Sequence, residues 1–321
     1  MELLIDNKNG MIWDVSGIVS EIKWSTYRIG KPSSLEFTLV DRGLYQDRKF
    51  TVDTGDVVTF RDEGENVFYG YVFKIDSGKS EELEILAYDQ LRYLTNSASY
   101  VFTKMTATQV VQKIAKDTLL RVGTLQDTRY VIPSQIRDNK TYLDMIWAAL
   151  DETLINYGTN FVFYDKFGFL TLQNITGMRF PLVIGDDSLM TDYSYSRSID
   201  DETYNQIVLY RDNKEAGKRE KFVAKDSNSI KKWGLLQLYQ SIDEKLNKAQ
   251  INEQLTNLLL LRNREKRTLS VEALGDYRLR AGCYVNLYIK MMDINKFFLV
   301  EECSHSKSEG VHTMDLELRL V

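Results

Sequence analysis

The sequence has few of the residues on which catalytic and metal sites usually depend. Its 321 residues include two histidines and two cysteines, so any serine–histidine or cysteine–histidine arrangement would have to use His305 or His312. Cys283 and Cys303 are too few for a disulfide framework, and we interpret them as reduced, buried thiols. With only three prolines, the chain also lacks proline-rich linkers, which indicates a continuously folded protein.

Long apolar runs are missing as well. No stretch approaches the ~18 apolar residues of a membrane span, and residues 1–7 have neither the basic start nor the apolar run of a signal peptide. We therefore expect a chain that folds in the cytoplasm and has no membrane partner. The net charge is −5 and the 41 basic residues are scattered. A nucleic-acid surface needs clustered Lys and Arg, so no sequence-specific nucleic-acid partner is expected.

Motifs of catalysis and cofactor binding are not found. There is no Gly-x-Ser-x-Gly elbow, and Gly217-Lys218 has Asp212 where a phosphate loop requires its first glycine, so we interpret this segment as a hairpin turn. Cys303 and His305 could share one face of a strand, yet their spacing matches no zinc pattern.

Two acidic groups could supply the paired carboxylates of glycoside hydrolysis. Asp186-Asp187 and Asp200-Asp201-Glu202 lie in polar connecting segments, where solvated loop acids are far commoner than a catalytic pair held across a cleft. The sequence therefore predicts no catalytic, cofactor-binding or metal-binding residues, and a protein that is not an enzyme.

The most informative feature that is present is a repeat between the two ends of the chain. In each copy, a strand of alternating polarity is followed by a glycine, a second strand, an aromatic-rich third strand and a fourth, as in an antiparallel meander. The aligned parts are residues 55–60 (GDVVTF) with 282–287 (GCYVNL), 34–39 (SLEFTL) with 268–274 (TLSVEAL), Val72 with Val300, and Ser77 with His305. Chance similarity of two meanders is the alternative. A doubled module indicates a protein that fits into a symmetric assembly.

The order of strands, helices and turns predicts an α+β, mainly β protein. We expect two similar small antiparallel β-barrels with an α/β insertion between them. The expected regions are a first β-barrel at 1–100, an α/β insertion of two helices and a hairpin at 101–190, a β-rich connecting segment at 191–240, and a linking helix with the second β-barrel at 241–321.

The insertion carries clear local signals. Thr106 and Gln109 form a capping box that opens its first helix, and Gly158 is the expected C-cap residue of the second. A tight hairpin over 161–172 follows, with Gly168 supplying the left-handed residue of its loop. The second helix has an apolar stripe of Leu143, Ile146, Trp147, Leu150, Leu154 and Tyr157.

A long helix, expected from about Asp243 to Arg264, has two apolar faces. One face carries Ile242, Leu246, Ala249, Leu260 and Leu261, and the other carries Ile251, Leu255, Leu258 and Leu259. One face can pack on the chain's own β module and the other on a second copy, unless the helix is sandwiched inside one domain. We take Ile251, Leu255, Leu258 and Leu259 as the candidate inter-subunit helix face.

Segments along nearly the whole chain resemble one known family. They are 55–58 (GDVV), 68–73 (FYGYVF), 87–94 (AYDQLRYL), 205–208 (NQIV), 298–305 (FLVEECSH) and 312–316 (HTMDL). These segments are similar to the baseplate hub protein of contractile phage tails, particularly of myophages and of tailocin-type prophage particles from Gram-positive bacteria. The shared motifs specify strands and turns, and none of them is a reactive constellation.

The resemblance implies a function and partners. Hubs of this family are homotrimers whose protomers each carry two tail-tube-like β-barrels, so that three chains present six barrels to the six-fold tail tube and a three-fold face to the central spike. Other implied partners are the tail tube protein, the central spike protein, the tape-measure protein, baseplate wedge proteins and peptidoglycan-binding tail proteins. The implied location is the host bacterial cytoplasm during assembly and then the baseplate of the virion or tailocin.

Two other functions are alternatives. A tail-associated cell-wall hydrolase could use residues 101–190 as its catalytic domain, but this segment has no His or Cys, which leaves only carboxylate chemistry. A carbohydrate-binding module is weakly supported by 19 tyrosines and four tryptophans. The sequence favours the structural adaptor.

Overall fold

The computed structural model describes residues 1–40, 47, 49–79, 82–200, 202–213, 218–244 and 246–320. Asp201 and Gly217, considered above, lie outside the described residues. The helices are α1 (Ala107–Asp117), α2 (Tyr142–Tyr157), α3 (Ser227–Trp233) and α4 (Lys248–Arg262). The protein is mainly β, as the sequence predicts, and most of its strand pairs are antiparallel.

The strands run along the whole chain. Those before α2 are β1 (Glu2–Asp6), β2 (Ile12–Asp14), β3 (Val19–Tyr27), β4 (Ser34–Val40), β5 (Val57–Asp62), β6 (Glu65–Ser77), β7 (Glu82–Tyr88), β8 (Ser97–Thr106), β9 (Val122–Leu125) and β10 (Val131–Thr141). Those after α2 are β11 (Phe161–Asp165), β12 (Leu170–Asn174), β13 (Arg179–Gly185), β14 (Met190–Ser198), β15 (Gln206–Asn213), β16 (Lys218–Lys225), β17 (Gln237–Ser241), β18 (Lys266–Leu274), β19 (Tyr284–Ile289), β20 (Ile294–Ser308) and β21 (Val311–Leu320).

The chain separates into two compact units. The first comprises residues 1–194 and 269–321, and the second comprises residues 195–268. Strands β14 and β18 carry the chain from one unit to the other. The division into four regions made from the sequence places its boundaries elsewhere and stays a prediction.

Two sets of strands in the large sheet have the same order. We call β3-β4-β7-β6-β5-β1-β2 the first module and β14-β18-β21-β20-β19-β13 the second module. Counted from β3 and from β14, each of the first six strands has a counterpart at the same place. The last of these pairs differs, because β1 is antiparallel to β5 whereas β13 is parallel to β19. Through the strands that are described the pairing follows an open path, so the predicted closed barrels are not confirmed.

The glycines aligned in the sequence occupy matching places. Gly55 has φ +94° and Gly282 has φ +93°, values that an L-residue with a Cβ rarely adopts. Gly55 N donates to Val72 O at 2.7 Å, and Gly282 N donates to Val300 O at 2.8 Å. In both modules the valine N–H also donates to the carbonyl oxygen of the residue that follows the glycine, Asp56 or Cys283, at 2.9 Å. The same turn thus leads into β5 and into β19.

Each module has its own apolar core because its strands alternate inward and outward residues. Leu35, Phe60 and Ile85 are fully or almost fully buried in the first, and Leu287 and Val300 are fully buried in the second. Burying one such side chain stabilises the fold by about 1.5–3 kcal/mol. A third core lies in the insertion, between α1, α2 and strands β11 and β12.

The capping and turn signals of the insertion are confirmed, whereas Tyr157 at the end of the expected apolar stripe is exposed. Thr106 accepts from Gln109 N while the Gln109 side chain accepts from Thr106 N, which completes the capping box of α1. Helix α2 ends at Gly158, which has φ +70° and donates to Leu154 O. Strands β11 and β12 form the expected hairpin, with Gly168 at φ +82°.

The second unit contains a three-stranded sheet with the order β16-β15-β17. The antiparallel pairing of β15 with β16 confirms the expected hairpin; its loop residues 214–217 are outside the described ranges. Helix α4 packs on this sheet. It begins later than predicted because the capping box is formed by Asn247 and Gln250.

Candidate functional site

The two modules join where β3 of the first module pairs with β20 of the second. The strands run antiparallel, from Glu21 opposite Ser308 to Tyr27 opposite Glu302. We call this strand pair, with the side chains packed around it, the seam. Because its partners come from the two ends of the chain, the seam fixes how one module follows the other.

Short polar side chains hold the middle of the seam. Ser25 Oγ and Ser304 Oγ lie 2.9 Å apart. Thr26 Oγ1 donates to Cys303 O at 3.2 Å and accepts from Ala281 N at 3.0 Å. Each such bond contributes about 0.5–1.5 kcal/mol, but leaving one of these buried groups unpaired would cost more.

A bidentate ion pair lies at one end of the seam. Arg28 Nε and Nη2 donate to the two carboxylate oxygens of Glu301, at 2.6 and 3.0 Å. The Arg28 side chain is 9% exposed, so water screens the pair less than it screens a surface ion pair. The planar guanidinium fixes both distance and direction, which gives this contact geometric specificity.

Two histidines form a hydrogen-bonded chain on the inner side of the seam. His305 Nε2 lies 2.9 Å from Leu279 O, so this nitrogen carries a proton and donates. The neutral His305 ring therefore accepts at Nδ1, and its partner at 3.0 Å, His312 Nε2, donates. The remaining nitrogen, His312 Nδ1, has no hydrogen bond within the described structure and lies 3.6 Å from Glu63 Oε1.

Burial keeps both imidazoles neutral. It lowers the pKa of His305 to about 3. It also lowers the pKa of His312, although the nearby carboxylate of Glu63 opposes this shift. Cys303 Sγ lies 3.2 Å from His305 Nε2, and burial raises the pKa of this thiol well above its usual value. At neutral pH the cluster is therefore an uncharged structural element.

Aromatic rings and one glycine enclose the histidines. Trp24 stacks on His305 with ring centroids 5.1 Å apart, and Tyr277 stacks on His312 at 3.9 Å. A Cβ atom on Gly275 would lie 2.1 Å from His312 Cδ2. No other residue type therefore fits under the His312 ring without displacing it.

Asp62 and Lys307 form a buried contact beside the histidine pair. Burial disfavours the Asp62 carboxylate, but the ammonium groups of Lys307 and of the chain's amino terminus outweigh it and lower the pKa of Asp62. Asp62 belongs to β5 and Lys307 to β20, so this ion pair also connects the two modules.

A second buried cluster, which the sequence did not reveal, connects the first module to the insertion. Asp89 accepts from Ser33 N and Leu91 N at 3.1 and 3.0 Å, and Asp165 accepts from Gly168 N at 2.6 Å and Gln90 Nε2 at 2.7 Å. Burial and the neighbouring carboxylate raise the pKa of Asp89 to about 8, and burial raises that of Asp165.

These two acids are 2% and 6% exposed, and their oxygens are occupied by turn and helix-end N–H groups. A raised pKa is typical of functional carboxylates, but a hydrolytic pair must reach a substrate. The arrangement instead fixes the turn before residue 91 and the β11–β12 turn against each other.

Most of the candidate inter-subunit helix face packs within the second unit of the same chain. Ile251 and Leu255 are buried, and they pack on Ile207 and Leu209 of the same chain. Leu258 and Leu259 are partly buried against the same core. The face proposed for a partner is therefore largely the face that α4 uses within its own unit. On the same helix, Leu260 is 78% exposed.

Three of the acidic loop residues considered in the sequence, Asp186, Asp187 and Glu202, have ordinary partners. Asp186 accepts from Lys290 N at 2.8 Å, and Asp187 pairs with Lys290 Nζ at 2.6 Å. Glu202 pairs with Arg262 at 2.6 Å. These contacts tie loops to neighbouring elements.

Neither a metal-binding cluster nor a membrane-spanning helix occurs among the described residues. No group of three or more His, Cys, Asp and Glu residues in the described ranges could hold a metal ion. None of the helices in those ranges is long and apolar enough to cross a membrane.

Solved phage tail proteins have a similar fold. A 43 kDa tail protein of prophage MuSo2 from Shewanella oneidensis superposes with a TM-score of 0.73 at 13% identity, covering 99% of this chain and 98% of that one. A tail protein from Neisseria meningitidis MC58 gives a TM-score of 0.70 at 15% identity, with 99% and 96% coverage.

Residues 22–319 match the YQBQ-like family, and the chain belongs to it. The chain is also 29% identical over 304 residues to the phage-like element PBSX protein XkdQ of Bacillus subtilis, covering 94% of this chain and 92% of that protein. The likeness to the two solved tail proteins is a likeness of fold.

Proposed function

We propose that this protein is the structural hub of a contractile tail baseplate, a homotrimeric ring that adapts the six-fold tail tube to the three-fold central spike. The observation that carries the proposal is the repeat of strand order and turn hydrogen bonds in the two modules. Two equivalent modules per chain let three chains present six equivalent surfaces. A ring of three such chains thereby matches both the six-fold tail tube and the three-fold spike.

The proposal includes specific partners. The tail tube protein and the central spike protein occupy the two faces of the ring. The tape-measure protein, baseplate wedge proteins and a peptidoglycan-binding tail protein contact it elsewhere. The particle is a phage or a tailocin, assembled in the bacterial cytoplasm. Its relatives are consistent with this setting, since XkdQ is named as a protein of a phage-like element.

Co-expression with the tail tube and spike proteins of the same gene cluster tests the proposal. Light scattering gives the number of chains per complex, and electron microscopy gives the symmetry of the ring. We expect three copies and a pseudo-six-fold layer. A stable complex with two or six copies of this chain, or one without such a layer, contradicts the adaptor role.

The two alternative functions, cell-wall hydrolase and carbohydrate-binding module, predict different results with purified cell walls. A cell-wall enzyme would release soluble fragments from purified sacculi, and a carbohydrate-binding module would be retained on them. The burial of Asp89 and Asp165 argues against cleavage. We expect neither cleavage nor retention of the isolated chain.

A further inference from the structure

Strand β14 has the same place in the second module as β3 has in the first. Both strands have nine residues, Met190–Ser198 and Val19–Tyr27. Both also begin beside a matching hydrogen bond, from Val40 N to Ile18 O and from Leu274 N to Leu189 O, each 2.9 Å long. Ser196 is therefore the counterpart of Ser25, and Tyr195 is the counterpart of Trp24.

Strand β6 has the same place in the first module as β20 has in the second. The counterpart positions of Val72 and Val300 make Asp76 the counterpart of Ser304, and Ser77 the counterpart of His305. In the seam, Ser25 lies opposite Ser304 and Trp24 lies opposite His305. A repeated seam would therefore bring Ser196 opposite Asp76.

The edges that a repeated seam would use are open in this chain. Among the described strands, β14 is the last of its path and has a neighbour on one side only. On β6, the pairing with β5 stops at Tyr71 opposite Val57, while the pairing with β7 continues to Ser77. In the described part of the chain, no strand pairs with residues 74–77 on the β5 side. Open edges of this kind are templates for strand addition.

Side chains of β14 are more exposed than their counterparts in β3, as expected for a strand that lacks a second neighbouring strand. In β3, Trp24 is 4% exposed, whereas its counterpart Tyr195 in β14 is 39% exposed. Ser25 is buried and Ser196 is exposed. Within the described ranges, β3 has two neighbouring strands and β14 has one.

We propose that β14 of one copy pairs antiparallel with residues 74–77 of β6 in a second copy, repeating between chains the seam that joins the modules within a chain. The inference rests on the proposed hub function, because it takes a second copy of this chain as the partner. Each chain then offers one β14 edge and one β6 edge. Such head-to-tail interfaces close into a ring when the rotation permits.

The side-chain pattern supports this register. Tyr193, Tyr195 and Ile75 fall on the face that corresponds to Ile22, Trp24 and Cys303, which are buried in the seam. Lys74, Asp76, Ser194 and Ser196 fall on the opposite, polar face. A shift by one residue would turn the tyrosines to the polar face, so burial fixes the register.

Cysteine cross-linking tests the pairing. In Asp76→Cys/Ser196→Cys we expect a disulfide between copies, because the counterpart hydroxyls of Ser25 and Ser304 are 2.9 Å apart and directly opposite strand residues satisfy disulfide geometry. Mild oxidation should give covalent dimers and trimers in denaturing electrophoresis. Ser25→Cys/Ser304→Cys is the positive control and should cross-link within one chain.

A matched pair of charge variants tests the same edge without cross-linking. Tyr195→Lys places a charge on the face to be covered, and Ser196→Lys places it on the polar face of the same strand. We expect Tyr195→Lys to raise the concentration for half-assembly at least tenfold and Ser196→Lys to change it less than threefold, with similar melting temperatures for both.

The outcomes separate this inference from the function on which it rests. A trimer that forms no cross-link between residues 76 and 196, or that is equally insensitive to both lysine variants, overturns the proposed edges and leaves the hub function standing. A chain that is not trimeric even with its tube and spike proteins overturns both. A 76–196 disulfide found within single chains also refutes the pairing.

Discussion

Gly275 is the residue on which the position of the histidine pair most directly depends. Its N–H donates to His312 O at 2.9 Å, and the His312 imidazole fills the space where a side chain would be. We expect Gly275→Ala to displace His312 from His305 and to lower the free energy of unfolding by about 1–3 kcal/mol, the usual effect of an extra methyl group in packed space. Urea unfolding followed by tryptophan fluorescence measures this loss, with Trp24 as a reporter beside the pair.

Gly17→Ala is the matched control. No atom lies within 4 Å of the Cβ that this change would add, so its free energy of unfolding should change by no more than about 0.5 kcal/mol. Equal losses in the two variants would mean that backbone freedom, and not the contact with His312, determines the effect.

The histidine pair should make stability depend on pH. Burial lowers the pKa of both rings in the folded protein, whereas an unfolded histidine has a pKa of about 6.5. As pH falls below about 6.5, the unfolded chain therefore binds protons that the folded chain does not. The free energy of unfolding should fall with pH by up to about 1.4 kcal/mol per pH unit for each histidine. Urea unfolding between pH 7.5 and 5 tests this slope.

Variants isolate the histidine contribution from other groups. The charged and titratable groups facing the pair are Glu63, Asp62, Lys307, Asp276, Tyr277 and Cys303. Asp89 acts with the opposite sign, because its raised pKa makes the folded state bind a proton first as pH falls from about 8. These groups remain in His305→Asn and His312→Asn. In each variant, the slope of the free energy of unfolding against pH should therefore decrease by up to about 1.4 kcal/mol per pH unit, the contribution of one histidine. A slope unchanged in both would refute the assignment.

At the scale of single elements, α4 shows how one helix can be interpreted in two ways. Leu255 is 5% exposed in the core of the second unit and Leu260 is 78% exposed. We expect Leu255→Ala to destabilise that unit by about 2–5 kcal/mol, the range for a buried leucine. Leu260→Ala should change it by no more than about 0.5 kcal/mol.

Trp233 in α3 belongs to the second unit, so its fluorescence can follow unfolding of that unit in both α4 variants. The two substitutions remove the same atoms from neighbouring turns of one helix. If Leu260→Ala proved as destabilising as Leu255→Ala, the assignment of the buried face would be wrong.

Several elements could be predicted from the sequence because their signals are local. The capping box of Thr106 and Gln109 specifies the start of α1, and Gly158 specifies the end of α2, since each acts within one helical turn. The counterpart positions of Gly55 and Gly282 followed from a pattern of strands and turns that repeats along the chain.

Other features depend on partners far away in the sequence and could not be predicted. Nothing near Trp24 indicates that its neighbour is His305, and nothing near Asp89 indicates the contact with the segment of Asp165. In α4 both faces are apolar, so periodicity gave two faces without showing that Leu255 packs on the chain's own sheet.

At the scale of the whole molecule, the seam joins the two modules within a chain, and in the proposed ring the same pairing joins neighbouring chains. Most of the second unit, residues 199–265, follows β14 and precedes β18 in the chain. Leu274 N donates to Leu189 O near one end of this strand pair. The other ends of the two strands, Ser198 and Lys266, therefore lie at the same end of the pair.

This arrangement leads to a test by deletion. Replacing residues 199–265 by Asn-Gly, a pair that favours the two-residue turn of a hairpin, should join β14 directly to β18. Because three apolar cores belong to the first unit, we expect the shortened chain to fold, with a cooperative thermal transition and unchanged burial of Trp24. It should also keep the proposed ring interface, since β14 and β6 remain whole; light scattering measures this. A folded but monomeric product would place an essential interface in the second unit, and an insoluble product would show that the first unit depends on it.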